Sequence, residues 1–421
     1  MLYESHNKRM NRQENKALRS ILFRHLDGIA IGPTVSALYE GKIIEYILRH
    51  PHFTFLELSS VFETNGGYLN VALRLLASQG WLLRDIIRDG EEIDFKVTNK
   101  GKILLPLAHH YATFCHYIPT LVNIDQYLFD RKIHTKDGEF SKLIAELIKL
   151  NKAHGESNTP PCEMIRHLEG LLAGPILVAL GMSEFFTEIV ENTNDIDDAI
   201  TDDLPMLKSV IDFFTMLNWV KNKRFTCDGQ FFLKRAVAYG VSVSYLPTFI
   251  QTPELLFGNP NKLWNRTLEG LETHVNRRMN VWGSGGAHAL YFKKIDEIVT
   301  HLFNQPLKDQ PIGIADMGCG DGTLLKHLYN VVHRNTLRGK NLEKYPLRII
   351  GADFNKAARL ASTITLKEAD INFSILAGDI SDPVSYSHNL QKQFGLDLRQ
   401  MLNVRSFLDH NRIYSPPKKS F

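Results

Sequence analysis

The spacing of hydrophobic residues divides the chain into two kinds of sequence. Up to about residue 280 the apolar positions recur mainly at helical spacing, as in YLNVALRLLASQG, which begins at Tyr68. From Pro311 onward, short apolar runs alternate with helical segments. IGIADMG, LRIIGADF and INFSILAGDI are predicted strands, and DGTLLKHLYNVV and NKAARLASTITLKEA are predicted helices. A β-α-β-α-β order requires crossover connections, so the C-terminal part predicts a parallel sheet covered by helices.

The helical part contains an internal repeat. HLDGIAIGPTVSALYEGKIIEYI at residues 25–47 aligns with HLEGLLAGPILVALGMSEFFTEI at residues 167–189, with the histidine, the acid, both glycines and the proline in register. YIPTLVNIDQYLF from Tyr117 later aligns with YLPTFIQTPELLF from Tyr245. Blocks that recur in the same order predict a duplicated domain of roughly 130 residues per copy. We therefore expect domains at 1–140, 141–280 and 281–421.

Each copy resembles a winged helix in its order of elements. In the first copy, two segments of helical spacing, FTFLELSSVFETN from Phe53 and YLNVALRLLASQG from Tyr68, precede WLLRDIIRDGEEIDFKVTNKG. That segment predicts two strands around Asp89-Gly90, a dipeptide that favours hairpin turns. Winged helices often bind DNA through a basic helix. The candidate helix, YLNVALRLLASQG, carries Arg74 as its one basic residue, so attraction to phosphate would be weak. We expect a structural or dimerisation role and no nucleic-acid partner.

Composition predicts a soluble cytoplasmic protein. The net charge of +3 over 421 residues is too small to indicate an anionic membrane or nucleic acid as partner. The four cysteines have no zinc-ligand spacing and fit a reducing compartment. The polar N-terminus lacks a signal core, and no continuous run of about 18 apolar residues predicts a membrane span.

The candidate chemistry lies in the turn after the first C-terminal strand. Asp316 precedes three alternating glycines, Gly318, Gly320 and Gly322. A dinucleotide site has GxGxxG, and an acid at this position would repel a pyrophosphate but can hold an ammonium group. The segment resembles motif I of class I S-adenosylmethionine methyltransferases. The resemblance implies that Asp353, after the second strand, binds the ribose hydroxyls.

The same resemblance assigns the rest of the cofactor site. It implies that Asp379, after the third strand, meets the adenine amine, and it includes the neighbouring Phe354 and Ile380 among the cofactor-binding residues. The predicted fold is a Rossmann-like class I methyltransferase core preceded by two winged-helix-like repeats. A complete core needs further strands after the fourth, so we expect this core to be truncated there.

Two flanking segments offer candidate catalytic residues. VWGSGGAHALYFKK at residues 281–294 is either an interdomain hinge or a loop that closes over the site with His288 and Tyr291. VRSFLDHNR follows the predicted fourth strand, where class I enzymes bind substrate. There Arg405 could hold a carboxylate, and Asp409 and His410 could abstract a proton or bind a metal. Ordinary polar helix caps are the alternative interpretation of the second segment.

The whole arrangement resembles C-methyltransferase domains in loading modules of bacterial, apratoxin-type modular polyketide synthases. This resemblance implies methylation of the α-carbon of malonyl or methylmalonyl on an acyl carrier protein, beside other synthase domains. It also implies a mononuclear iron or manganese ion that assists enolate formation. His410 is the first candidate ligand and His288 the second, although their spacing does not establish a site.

Two other functions remain open from the sequence. A small-molecule O-methyltransferase with a winged-helix dimerisation domain would use the same sheet and could use His410 as its base. A non-enzymatic regulator would carry a degenerate cofactor site, but Asp316, Asp353 and Asp379 are all present.

Overall fold

The structure, a computed structural model, describes residues 11–87, 92–129, 137–155, 159–183, 196, 205–267, 272–292, 295–380 and 382–406. The chain divides into two compact units, Met1–Asn280 and Val281–Phe421. The first unit is mostly helical, and the second contains a parallel sheet.

The helical unit is organised around two long helices, α1 (Arg12–Glu40) and α10 (Pro160–Gly181), which contain the two repeat motifs. Between them lie α2 to α9, which are Ile43–Arg49, Phe55–Val61, Gly66–Ser78, Asn99–Leu104, Ala108–Cys115, Ile118–Leu121, Ile124–Phe129 and Asp137–His154. After them come α11 to α15, which are Pro205–Met216, Cys227–Leu233, Val237–Ser244, Leu246–Phe249 and Thr252–Phe257. Single 3₁₀ turns occur at Leu105–Leu107 and Pro260–Trp264.

Helices α1 and α10 cross at glycines of the repeat. A Cβ atom at Gly28 would lie 2.1 Å from the carbonyl oxygen of His167, and one at Gly170 would lie 2.2 Å from the Cα of His25. Two helix backbones can approach this closely only where side chains are absent. Gly28 of the first repeat therefore leaves room for the backbone of His167, and Gly170 of the second repeat leaves room for the backbone of His25.

The same crossing pairs buried polar groups between the repeats. His25 Nδ1 lies 2.9 Å from the hydroxyl of Tyr239, and His167 Nδ1 lies 2.8 Å from the hydroxyl of Tyr111. Each histidine thus bonds a tyrosine that follows the other repeat motif. Burial lowers the pKa of both histidines, that of His167 to about 3, so both rings are neutral at neutral pH.

Each repeat also carries a small antiparallel sheet. In the first, β1 (His52–Thr54), β2 (Leu82–Ile87) and β3 (Glu92–Val97) are ordered β1-β3-β2 beside α3 and α4, as in a winged helix. The sequence predicted helix from Phe53, but residues 52–54 form a strand because they pair with β3. Asp89-Gly90 lies outside the described residues. In the second repeat, β4 (Val220–Lys221) and β5 (Arg224–Phe225) form a short hairpin.

Helix α10 is long and apolar enough to cross a membrane on length and composition alone. Of its most apolar 18-residue window, 89% is buried inside the protein. A polar face is unnecessary for a helix that is enclosed on all sides. Its burial therefore identifies α10 as a core helix of the first unit.

The second unit begins within α16 (Arg277–Phe292) and continues with α17 (Asp296–Leu302). Four parallel strands follow: β6 (Gly313–Met317), β7 (Arg348–Asp353), β8 (Phe373–Ala377) and β9 (Leu402–Val404), in the order β8-β7-β6-β9. Helices α18 (Thr323–Asn335), α19 (Lys356–Glu368) and α20 (Pro383–Phe394) connect them, with 3₁₀ turns at Gly339–Asn341 and Leu398–Gln400. This is the Rossmann-like arrangement that the strand and helix spacing predicted.

The sheet is buried on both faces. One core contains Ile314, Ile349 and residues of α18 and α19, and the other contains Ala315, Ile350 and residues of α20. Alternate residues of β6 and β7 thus enter opposite cores, which explains why these strands read as continuous apolar runs. Parallel strands leave their carboxyl ends at one edge of the sheet, and ligands of open parallel sheets bind at that edge.

Candidate cofactor site

The turn between β6 and α18 needs glycine at each of its alternating positions. Gly318, Gly320 and Gly322 have φ angles of 87°, 57° and 80°, in the left-handed region that other residues rarely adopt. The amide of Gly318 donates to the carbonyl oxygen of Ala352 at 2.7 Å, which joins the turn to β7. A Cβ at Gly320 would meet no described atom within 4 Å, so the turn presents bare backbone there.

Ser362 fixes this turn from helix α19. Its Oγ donates to the carbonyl oxygen of Gly320 at 2.7 Å and lies 3.2 Å from Cys319 Sγ. Ser362 is fully buried. Ser362 is not part of any predicted motif, and the available signal in the sequence was a small polar residue on the buried face of an amphipathic helix.

Asp316 lies near the end of β6 and is only 1% exposed. Its Oδ1 atom has no hydrogen-bond partner among the described residues. Burial, with repulsion from Asp353, raises the pKa of Asp316 to about 7. A buried carboxyl oxygen without a partner is costly in a folded protein and needs a reason, of which a ligand is one.

Asp353 ends β7 and is 8% exposed. Its Oδ2 accepts from the amide of Gly320 at 3.3 Å, and its Oδ1 accepts from the amide of Asn355 at 2.8 Å. Arg359 donates to the carbonyl oxygens of Asp353 and Phe354. These bonds hold the carboxylate against the glycine turn.

The other predicted cofactor residues follow the neighbouring strands. Phe354, directly after β7, is 54% exposed despite its size. Asp379 and Ile380 follow β8, with Asp379 exposed and Ile380 half-buried. The register pairs Asp316 with Gly351 and Asp353 with Ala377, so the three acids follow adjacent strands at one sheet edge.

These residues fit the group that the motif implies. Asp316 Oδ1 has no hydrogen-bond donor among the described residues, and the α-ammonium of S-adenosylmethionine can supply one. The glycine backbone, which carries no side chains, leaves room for a ligand above the strand ends. A carboxylate such as that of Asp353 can accept from two neighbouring hydroxyls.

Tyr386 is a second buried polar group near this site that the sequence analysis missed. Its ring packs against Gly378 at the end of β8, and its hydroxyl has no hydrogen-bond partner within the described ranges. Burial raises its pKa, and the charges of Asp316 and Cys319 raise it further, so these groups lie near one another. Asp382 caps α20, the helix that carries Tyr386. The sequence DPVS, an acid followed by proline, was the signal for the start of this helix.

The candidate catalytic residues are described only in part. Arg405 is exposed and follows β9, which pairs with β6, so it lies at the same sheet edge as Asp316. Asp409 and His410 lie outside the described residues. His288 and Tyr291 lie on α16, and the structure describes only their backbone. No group of three or more possible metal ligands occurs among the residues whose side chains are described.

The glycine-rich segment before the sheet differs from its prediction. We expected a hinge or closing loop at 281–294, whereas the chain is helical through Phe292. Asn276 accepts from the amide of Met279 and caps this helix, and good helix formers such as Ala287, Ala289 and Leu290 follow the glycines. A cap and favourable neighbours outweigh the low helix propensity of glycine here.

Three protein-family models match the chain. Residues 272–421 match the AprA MT2-like domain, residues 18–84 match the AprA N-terminal domain, and residues 169–259 match the AprA winged helix domain. The winged-helix match thus falls on the second repeat. No curated protein matched the sequence at a significant level. The chain is therefore an S-adenosylmethionine-dependent methyltransferase, and its three matched segments are similar to AprA domains.

Proposed function

We propose that this chain methylates the α-carbon of malonyl, or of methylmalonyl, carried on an acyl carrier protein. The AprA MT2-like match over residues 272–421 carries the proposal, because it covers the methyltransferase sheet and agrees with the resemblance to apratoxin-type synthase loading modules. The matches to the AprA N-terminal and winged helix domains support the same setting. In that setting the partners are the carrier protein and neighbouring synthase domains in the cytoplasm, without nucleic acid or membrane.

In this proposal three acids hold the cofactor. Asp316 binds the ammonium group, Asp353 binds the ribose hydroxyls and Asp379 meets the adenine amine, while Phe354 and Ile380 contact the adenine. The backbone of Gly318, Gly320 and Gly322 permits close approach. The bonds from Gly320 and Asn355 support this assignment, because they fix the Asp353 carboxylate before any ligand arrives.

S-adenosylmethionine supplies an electrophilic methyl group on its sulfonium. The chain's own residues would then orient the malonyl group and remove its α-proton. Arg405 supports this, since an exposed guanidinium after β9 can bind the free carboxylate of malonyl in a bidentate manner. We assign proton removal to Asp409 or His410, and positioning of the thioester to Tyr291.

The resemblance also implies iron or manganese, with His410 and His288 as candidate ligands. The part of the chain with described side chains contains no group of three or more metal-ligating residues, so no step of this proposal passes through a metal. A dependence on iron is instead one arm of the test below.

The test is the intact mass of malonyl-loaded carrier protein after incubation with the chain and S-adenosylmethionine, with and without ferrous iron. We expect a gain of one or two methyl masses. Gain only with iron would add the metal to the mechanism. Cofactor binding without methylation in either arm would contradict the proposal and favour an O-methyltransferase acting on a small hydroxylated substrate.

An Asp353→Ala variant controls this experiment. Its methylation should fall because the ribose contact is lost, whereas Glu368→Ala, an exposed change at the far end of α19, should retain full activity. Equal activity in the two variants would show that the methyl donor is not bound at this sheet edge.

A further inference from the structure

The surroundings of Asp316 affect how the cofactor binds, and the inference drawn from them rests on the proposed cofactor site. Asp316 is buried near the end of β6, and its Oδ1 is unpartnered among the described residues. If Asp316 were ionised, its Oδ1 would be shielded from solvent and would have no donor among the described residues. Such a group usually keeps a proton instead, because neutralisation avoids the desolvation cost.

The charged and titratable groups around Asp316 act in the same direction. Asp353 on β7 repels a charge on Asp316. Cys319, in the glycine turn, and Tyr386, on α20, interact electrostatically with Asp316, and both have raised pKa values. Each of these neighbours is neutral or negative at neutral pH, so none of them stabilises an anion at Asp316. Arg405, after the adjacent β9, is exposed at the same sheet edge, and it is not among the causes of the raised pKa of Asp316, which are burial and Asp353.

We infer that Asp316 holds a proton in the cofactor-free protein and releases it to solvent when the ammonium group of the cofactor binds. The exchange is balanced: the carboxylic O–H bond breaks, the proton leaves to water, and the carboxylate that remains pairs with the ammonium. Binding is therefore linked to pH, and the site favours ligands that bring their own cation.

The linkage has a defined sign. The pKa of Asp316 is raised to about 7, so below that pH the proton competes with the ligand. Apparent affinity should fall by about tenfold from pH 6.5 to pH 5.5 and level off above pH 7. Measurements should not exceed pH 7.5, so that the ammonium group of the ligand keeps its own proton.

The test is calorimetric titration of the whole chain with S-adenosylhomocysteine, which keeps the ammonium group but lacks the sulfonium charge. Comparing buffers of different ionisation enthalpy gives the number of protons released. We expect about one proton at pH 6 and fewer at pH 7.5. 5′-Methylthioadenosine, which lacks the ammonium, should bind without releasing a proton.

Two variants and a second measurement complete the test. Asp379→Asn, at an exposed acid after β8, should bind more weakly but keep the pH slope, whereas Asp316→Asn should lose the slope. Infrared difference spectra of the unsubstituted chain should lose a protonated-carboxyl band on ligand binding at pH 6. The cofactor-free Asp316→Asn spectrum, which lacks that band, assigns it.

The outcomes separate this inference from the proposed function. S-adenosylhomocysteine binding with no proton release, no pH slope and no loss of the carboxyl band would overturn the inference and leave the cofactor site in place. Absence of binding throughout pH 5.5–7.5 would overturn both.

Discussion

The two units of the chain differ in how their buried polar side chains are held. At the crossing of α1 and α10, each buried histidine bonds a tyrosine of the other repeat through Nδ1, while its Nε2 has no hydrogen-bond partner among the described residues. At the edge of the methyltransferase sheet, Asp316 and Tyr386 are as deeply buried, yet Asp316 Oδ1 and the Tyr386 hydroxyl have no partner within the described structure. Buried groups that serve the fold are normally satisfied within the fold. A buried group left unsatisfied near a bare glycine turn indicates a place for a ligand.

Large aromatic rings are exposed in both units. In the helical unit Phe23 is 63% exposed and Trp264 is 66% exposed, whereas others, such as Trp81 and Tyr111, are fully buried and pack on one another. Phe354, beside the candidate cofactor site, is 54% exposed. A large exposed ring contributes little to the core, and at the carboxyl edge of the sheet it can stack on a ligand.

The largest expected effect concerns the glycine crossing. Gly28→Ala would place a methyl group against the backbone of His167, where neither helix can yield without moving, so we expect a loss of about 3 kcal/mol in the free energy of unfolding. Chemical denaturation of the whole chain measures this.

Gly32→Ala on the same helix is the matched control. The new methyl group would meet the Leu171 side chain at 3.4 Å, an ordinary contact, and alanine favours helix, so stability should stay equal or rise. Equal losses in both variants would mean that close approach at Gly28 does not hold the repeats together.

The second effect is an opposite pH dependence in the two units. His167 has a pKa lowered to about 3 in the fold, so the stability it contributes is present above its ordinary value of 6.5 and is lost progressively as pH falls below it. We expect a loss of roughly 1.4 kcal/mol per pH unit below 6.5 from this group.

Asp316 has a pKa raised to about 7. The loss of folding stability that comes from ionising this buried carboxyl is therefore absent below its ordinary pKa of 3.8 and grows as pH rises toward 7. Hydrogen exchange of the cofactor-free chain, followed by peptide mass analysis, resolves the units. Protection of α10 should decrease from pH 6.5 to 5, after correction for intrinsic exchange rates, while protection of β6 should increase. The same trend in both units would contradict this contrast.

A third prediction concerns the tyrosine partners. Tyr239→Phe should cost about 1 kcal/mol, because His25 Nδ1 loses its hydrogen bond while its Nε2, although it makes no hydrogen bond, still faces the Glu169 carboxylate at 3.5 Å. Tyr111→Phe should cost about 2 kcal/mol, since His167 Nε2 has no partner among the described residues and Nδ1 would then lack one too. Thermal unfolding at pH 7.5 compares the two variants. A larger loss of stability for Tyr239→Phe would contradict the prediction that His167 depends more on its tyrosine than His25 does.

The smallest effect is expected at the exposed aromatic ring. Phe354→Ala should weaken S-adenosylhomocysteine binding by about fivefold, corresponding to about 1 kcal/mol of stacking, and leave the melting temperature nearly unchanged. Leu360→Ala, an exposed apolar residue on α19, is the control that should change neither quantity. A large drop in melting temperature for Phe354→Ala would mean that the ring serves the fold.

Much of the fold was predictable because local patterns determine it. The period change at Pro311 predicted the strands and helices of the second unit, and the glycine motif located the turn with positive φ angles. The repeat in register identified the histidines and glycines as equivalent. It could not show that they contact the opposite repeat, because that depends on the crossing of α1 and α10.

The structural features that could not be predicted from the sequence depend on tertiary contacts. Residues 52–54 form a strand because β3 lies beside them, and residues 281–292 are helical despite their glycines. The candidate acids could be listed from the motif, but the absence of a partner for Asp316 Oδ1 depends on everything packed around it. The same holds for Tyr386, which is distant in sequence from the motif. The assignments of Asp316, Asp353 and Asp379 to the cofactor remain predictions.

The central claim is that Asp316 is left unsatisfied by the fold because the cofactor satisfies it. Its most direct test is calorimetric binding of S-adenosylhomocysteine to the unsubstituted chain and to Asp316→Asn at pH 7.5, with unfolding of both proteins measured without ligand. We predict that the substitution weakens binding about 100-fold, from the lost charge pair, while the cofactor-free protein becomes more stable. Unchanged affinity, or affinity lost together with the stability of the fold, would contradict the claim.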